Sequence, residues 1–119
     1  MISGPEQVPE QLPEGYPGKQ VALDFVPNYE ARFGPGSRTQ FAAHLYDYAL
    51  IMQKIVPMAL AKARPGTPEF REALKDALES SETVVTKGMV RYTKADHWGH
   101  DDSARVMLKV QDGTWKYVP

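Results

Sequence analysis

The densest run of residues able to do chemistry is Asp96-His97-Trp98-Gly99-His100-Asp101-Asp102, two imidazoles and three carboxylates within seven positions. Such donors could hold a divalent metal. The spacing is not helical, and no third histidine follows at a ligand interval, because His44 lies far off in sequence. The same residues also read as a turn in which Asp96 caps the backbone and Trp98 packs on the core. His97 and His100 therefore stand as a weak metal alternative beside a structural turn.

Other chemistries find less support. The chain has no cysteine, so disulfides, thiolate ligands and a thiol nucleophile are all absent. Serines, histidines and acids are present without a GxSxG-type nucleophile motif. Glu69, Glu72, Asp76 and Glu79 fall on the polar side of an amphipathic helix, where solvation is the ordinary role of charge. Gly34-Pro35-Gly36 follows a helix rather than opening one, so it is no phosphate cradle. No catalytic residue and no cofactor is expected. A second candidate site is the aromatic group near the start of the longest helix, where Phe41, His44 and Tyr48 are spaced to meet along one side, with Tyr46 beside them. Aromatics at this spacing serve as core or as the wall of a small-molecule pocket.

These residues need elements to position them. Val21, Phe25 and Tyr29 predict a helix over 20–33, stopped by Gly34-Pro35, with a kink or a late start at Pro27. Phe41, Leu45, Tyr48, Met52, Ile55 and Ala59 predict one apolar face of a helix over 38–63, bent at Pro57. Thr67-Pro68-Glu69 opens a third helix whose stripe is Phe70, Leu74 and Leu78. The period then changes. Val84-Val85 and Met89 to Tyr92 read as short strands around Gly88. Val106, Leu108 and Val110 alternate before the Asp112-Gly113 turn, and Trp115 and Tyr117 follow on the returning strand. A bare hairpin of this kind is marginal in water and needs a covering layer. Prolines 5, 9, 13 and 17 make residues 1–19 an extended segment that wraps a partner or stays mobile.

The bulk properties are those of one soluble domain at most. The 119 residues are 42% hydrophobic and 24% charged, with a net charge of −1. Nothing in that balance would neutralise phosphates, so nucleic acid is not an expected partner. The longest apolar stretch, Tyr48 to Ala61, is cut by Gln53, Lys54 and Pro57 and falls short of the ~20 residues that span a bilayer. The first residues show neither the basic nor the apolar region of a signal peptide.

Five motifs in order give a resemblance. Tyr29-Glu30-Ala31-Arg32-Phe33-Gly34, Phe41-Ala42-Ala43-His44-Leu45-Tyr46-Asp47 and Pro65-Gly66-Thr67-Pro68-Glu69-Phe70-Arg71-Glu72-Ala73-Leu74 resemble helix segments of the type I periplasmic solute-binding proteins of ABC importers, in their branched-chain amino-acid and amide group. Asp96-His97-Trp98-Gly99, then Ala104-Arg105-Val106 and Asp112-Gly113-Thr114-Trp115-Lys116, resemble that family's closing segment. Gly4-Pro5 with Gln11-Leu12-Pro13 resembles the stretch just upstream. Pro27, Pro57 and Tyr48 depart from the pattern.

The resemblance implies an α/β fold, a partial periplasmic-binding-protein type I architecture. Three helices would be followed by short strands and a C-terminal β-hairpin, within one incomplete domain over 1–119. Helical residues 20–83 would belong to one lobe, and 84–119 would hold the hinge crossing and the hairpin of the other. Phe41 would touch the ligand side chain, with His44 and Tyr46 as its neighbours. The ligand would be a hydrophobic or aromatic acid or amino acid, and the compartment periplasmic. The missing N-terminal receptor portion would come as a separate chain or be replaced by self-association into a homodimer. The alternative is a stand-alone dimeric module that binds a small molecule or a metal and has no transport role. The isolated chain is expected to show no measurable affinity for such acids, and micromolar binding would contradict this.

Overall fold

Proline spacing in the first residues builds short turns rather than an extended strand. A computed structural model describes residues 1–119, the side chain of Ile2 excepted. Pro5 and Pro9 each occupy the first position of a single 3-10 turn, Pro5–Gln7 and Pro9–Gln11. At that position the missing N–H costs nothing, because no carbonyl precedes it in the turn. Val8 and Leu12 close the two turns and pack on Val106 and Leu108, with Tyr16 and Tyr117 against the same cluster. The proline-rich segment thus covers the hairpin of its own chain, and the hairpin is not bare.

Helix α1 spans Lys19–Phe33 in one piece and starts at Lys19, not late. Proline's fixed φ suits a helix, and the exposed Pro27 removes one hydrogen bond without clashing with a packed neighbour. Gly18 caps its start at φ 77°, and its Cα lies so near the backbone of Val85 and Gly88 that a side chain would not fit. Helix α2 spans Gln40–Leu60, opened by Thr39, whose hydroxyl accepts the Ala42 N–H at 3.1 Å. Its buried residues are Ala43, Asp47, Ile55 and Ala59.

This corrects the apolar face read from the sequence. Phe41 and Leu45 are 71% and 73% exposed, and Tyr48 is exposed too. The small side chain of Ala43 is what lets α1 come close, through Phe25 and Val26. Helix α3, Pro68–Glu79, has the expected cap, with Thr67 Oγ accepting the Phe70 N–H at 3.2 Å, and it packs along α2.

Strands β2, Glu82–Val85, and β3, Gly88–Arg91, pair antiparallel around Thr86-Lys87. A second sheet has the order β1-β4-β5, formed by Ile2–Ser3, Val106–Gln111 and Thr114–Val118. Asp112 and Gly113 turn β4 into β5 with φ of 52° and 72°, both positive as a type I′ turn requires. Leu108 faces Tyr117 and Val110 faces Trp115. The near half of this face is buried by Val8 and Leu12, while Val110 at the far half stands open.

Three helices followed by two small antiparallel sheets match the expected architecture. The result is elongated. Its radius of gyration is 16.3 Å, against about 13.5 Å for a compact chain of this length.

Candidate functional site

Helix α2, the β2–β3 hairpin and the Asp96–Ala104 loop enclose a cleft of about 550 Å³. Its walls include His44, Tyr48, Lys87, Trp98, His100 and Arg105. The floor is fixed by Asp47, whose carboxylate accepts the Thr86 N–H at 2.8 Å and the Thr86 hydroxyl at 2.9 Å. That pair is buried and ties the middle of α2 to the tip of the β2–β3 hairpin. It thereby sets the position of Lys87, the next residue, whose ammonium meets the Nε2 of His44.

The structure separates the three residues read as a ligand wall. His44 lines the large cleft. Phe41 lines a smaller one of about 290 Å³ beside it, with Arg38 and Trp115, and its ring meets the edge of His44 at 6.4 Å. Tyr46 is on the opposite side of α2, packed on Phe25 at a ring distance of 5.1 Å. One step of 200° around a helix separates Tyr46 from His44, so the two could not share a face.

The histidine-rich turn also divides. Asp96 accepts the Trp98 N–H at 2.8 Å, which is the capping turn expected of it. Trp98 does not pack on the core: it is 66% exposed and its ring lies edge-on to His100 at 6.0 Å. A positive φ at Gly99, with the Tyr92 ring directly against its Cα, turns the loop so that Trp98 stays at the mouth of the cleft. His97 points to Glu79, 3.0 Å away, while His100 lines the cleft. Among the described residues no group of three His, Cys, Asp or Glu converges as a metal would require. His97 and His100 thus face different neighbours.

Burial, then the charge of Lys87, then His100 push the His44 imidazole below its ordinary value. His100 is lowered by burial and by Lys87, with Asp101 acting weakly the other way. Burial raises Asp47 against the two Thr86 hydrogen bonds and Lys87. Glu6 is 1% exposed, and burial raises it as well, opposed by its own backbone N–H and by Lys87. Apart from that local N–H, neither Glu6 oxygen has a hydrogen-bond partner among the described residues. Its carboxylate fills the space that a side chain on Gly4, at the cleft edge, would need.

Asp47, Lys87 and Glu6 lie outside the site residues that motif and spacing point to. Asp47 carried a signal, an acid amid the apolar residues of α2. Glu6 and Lys87 carried none, because only the tertiary fold brings them to α2.

The cleft is thus built between one helix, a strand hairpin and a loop, a concave shape of the size that small-molecule sites have. Over its whole length the chain has the fold of about one third of an extracellular ligand-binding receptor. The solved structure of Rp1789 from Rhodopseudomonas palustris strain CGA009 matches with a TM-score of 0.93 and 41% identity, over 100% of this chain and 34% of that one. An extracellular ligand-binding receptor from Rhodopseudomonas palustris matches with a TM-score of 0.93 and 39% identity, over 100% and 33%. Another from Rhodopseudomonas palustris HaA2 gives 0.93 and 37%, over 100% and 34%. The chain thus spans about a third of the length of the structures it matches. No protein-family model matches it, and no curated protein matches it closely. Among the described residues no helix is long and apolar enough to cross a membrane.

Proposed function

We propose that this chain is the non-catalytic solute-binding part of an extracellular receptor, of the branched-chain amino-acid type that serves ABC importers. The observation that carries this reading is the match of this whole chain to about a third of two extracellular ligand-binding receptors, at identities of 39% and 37%. In this reading the site is one wall of the ligand cleft, with Phe41 and His44 on α2 facing the solute. Tyr46 positions α2 on α1 instead of touching the solute. The solute is a hydrophobic or aromatic acid or amino acid, bound in the periplasm.

The remaining wall comes from further polypeptide, as a separate chain or through a second copy. The uncovered Phe41, Leu45 and Tyr48 support this, since burying each such side chain contributes about 2 kcal/mol. Exposed apolar surface of this extent marks an interface. The elongated shape agrees with a layer that packs on something else.

The test is reconstitution. The part of the Rp1789 chain that this chain does not cover is produced separately and mixed with it, and ligand binding is followed by calorimetry with a panel of aromatic and branched aliphatic acids. The reading expects a one-to-one complex that binds a member of the panel, with neither piece alone doing so at micromolar concentration. A chain that binds equally well alone, or a complex that binds none of these solutes, counts against it.

A further inference from the structure

Charge in the large cleft is unevenly matched. Arg105 lines it, but its guanidinium is paired with Asp102 at 2.9 Å. Among the described residues Lys87 has no carboxylate within ion-pair distance. Among the described residues its side-chain hydrogen-bond partner is the Nε2 of His44. The nearby acids are committed elsewhere. Asp47 spends both oxygens on Thr86, and Glu6 lies beneath Gly4 where burial favours its protonated form. Asp101 is occupied by the N–H and hydroxyl of Ser103. Around this one unmatched cation stand two flat, largely exposed rings, Tyr48 and Trp98.

We propose that Lys87 is the anchor for the carboxylate of a small flat ligand in this cleft, with His44 as its hydrogen-bonding neighbour and Tyr48 and Trp98 against the ligand's apolar body. The inference rests on the reading of the cleft as a small-molecule site and assigns the residue that reads the ligand's charge. A carboxylate on the ammonium forms a charge-assisted hydrogen bond, while the rings reward an aromatic or planar body and give nothing to a bare oxyanion.

The same contact links binding to pH. Lys87 is among the causes that hold the His44 and His100 imidazoles neutral. An anion seated on Lys87 offsets that charge, so His44 binds its proton more readily in the complex. By linkage, the anion then binds more tightly as the pH falls from about 7.5 to about 5.5. Glu6, Asp47, Tyr48, Tyr92, His100, Asp101 and Arg105 are the other charged and titratable groups around this point. Asp47 and Glu6 oppose the anion while ionised, so their protonation as the pH falls acts in the same direction.

The test titrates the isotope-labelled chain with benzoate at high millimolar concentration and follows the His44 ring signals by NMR. Benzamide, acetate and inorganic phosphate serve as controls. Expected are a shift of the His44 titration midpoint to higher pH and a binding response weakened about tenfold in Lys87→Met. Lys87→Arg keeps most of the response, and all variants retain the parent's spectral dispersion. Equal binding of benzamide, or full benzoate binding by a folded Lys87→Met chain, overturns the anchor. Phosphate or acetate acting as strongly as benzoate overturns the flat-ligand class. This outcome is independent of reconstitution: a receptor complex that forms while benzoate ignores Lys87 sinks only the anchor.

Discussion

The carboxylate of Asp47 accepts both hydrogen bonds that Thr86 can donate, at 2.8 Å and 2.9 Å, across 39 positions of sequence. The contact joins a helix to a hairpin and is buried. Removing the acceptor strands two donors where water does not reach. Asp47→Ala should therefore destabilise the chain by about 3 kcal/mol, read as a lower urea midpoint. Asp47→Asn keeps one acceptor for the Thr86 N–H and should cost only about 1 kcal/mol. Equal stability of the alanine variant and the parent would show that the pair does not hold the hairpin.

Glu6 and Asp47 share a direction of titration. Burial raises both above their ordinary carboxylate values. The folded chain therefore binds these protons more tightly than the unfolded chain does. Their contribution to stability is full below the unfolded values of 4.5 and 3.8 and is lost as the pH rises through the folded ones. Glu6→Gln cannot ionise, so its stability relative to the parent should increase as the pH rises from about 4.5 to about 7. Urea midpoints measured across that range would read the trend, and a flat difference would contradict it.

Gln11 closes the outer edge of β5. Its side-chain amide donates to the Trp115 carbonyl at 3.0 Å and accepts the Tyr117 N–H at 2.9 Å, as a neighbouring strand would. Edge strands left open recruit other chains. Gln11→Ala should cost about 1 to 2 kcal/mol and speed exchange of the Tyr117 amide. Unchanged protection of that amide would show that the edge is held by something else.

His97 and His100 face different ways, one toward Glu79 and the other into the cleft. Zinc titration of the parent and of a His97→Ala, His100→Ala variant should give the same weak response. A site that is clearly tighter in the parent would restore the metal reading.

The sequence shows its elements where local chemistry decides them. Thr67-Pro68 marks the start of α3, Asp112-Gly113 marks the β4–β5 turn, and Asp96 makes its cap, because each signal acts within a few residues. It misleads where tertiary contacts decide. The stripe Phe41-Leu45-Tyr48 has the period of a buried face, yet in this chain Ala43 and Asp47 are buried instead. Periodicity tells that a face is apolar, not which polypeptide covers it. The proline-rich start reads as extended because its 3-10 turns are too short to show a period. Their stability comes from Val8 and Leu12 reaching Val106 and Leu108 nearly a hundred residues away. The cleft was half legible: α2 could be placed and His44 named, but Lys87 enters only through the long-range pair of Asp47 with Thr86.

The most direct check on the account is the light-scattering molar mass of the purified chain alone, with and without the complementary receptor polypeptide. Alone, the apolar face of α2 should drive association above the 13.3 kDa of one copy, and the complement should replace that association with a one-to-one complex. A single species of 13.3 kDa at every concentration, indifferent to the complement, would contradict the central claim that α2 is a surface made to be covered.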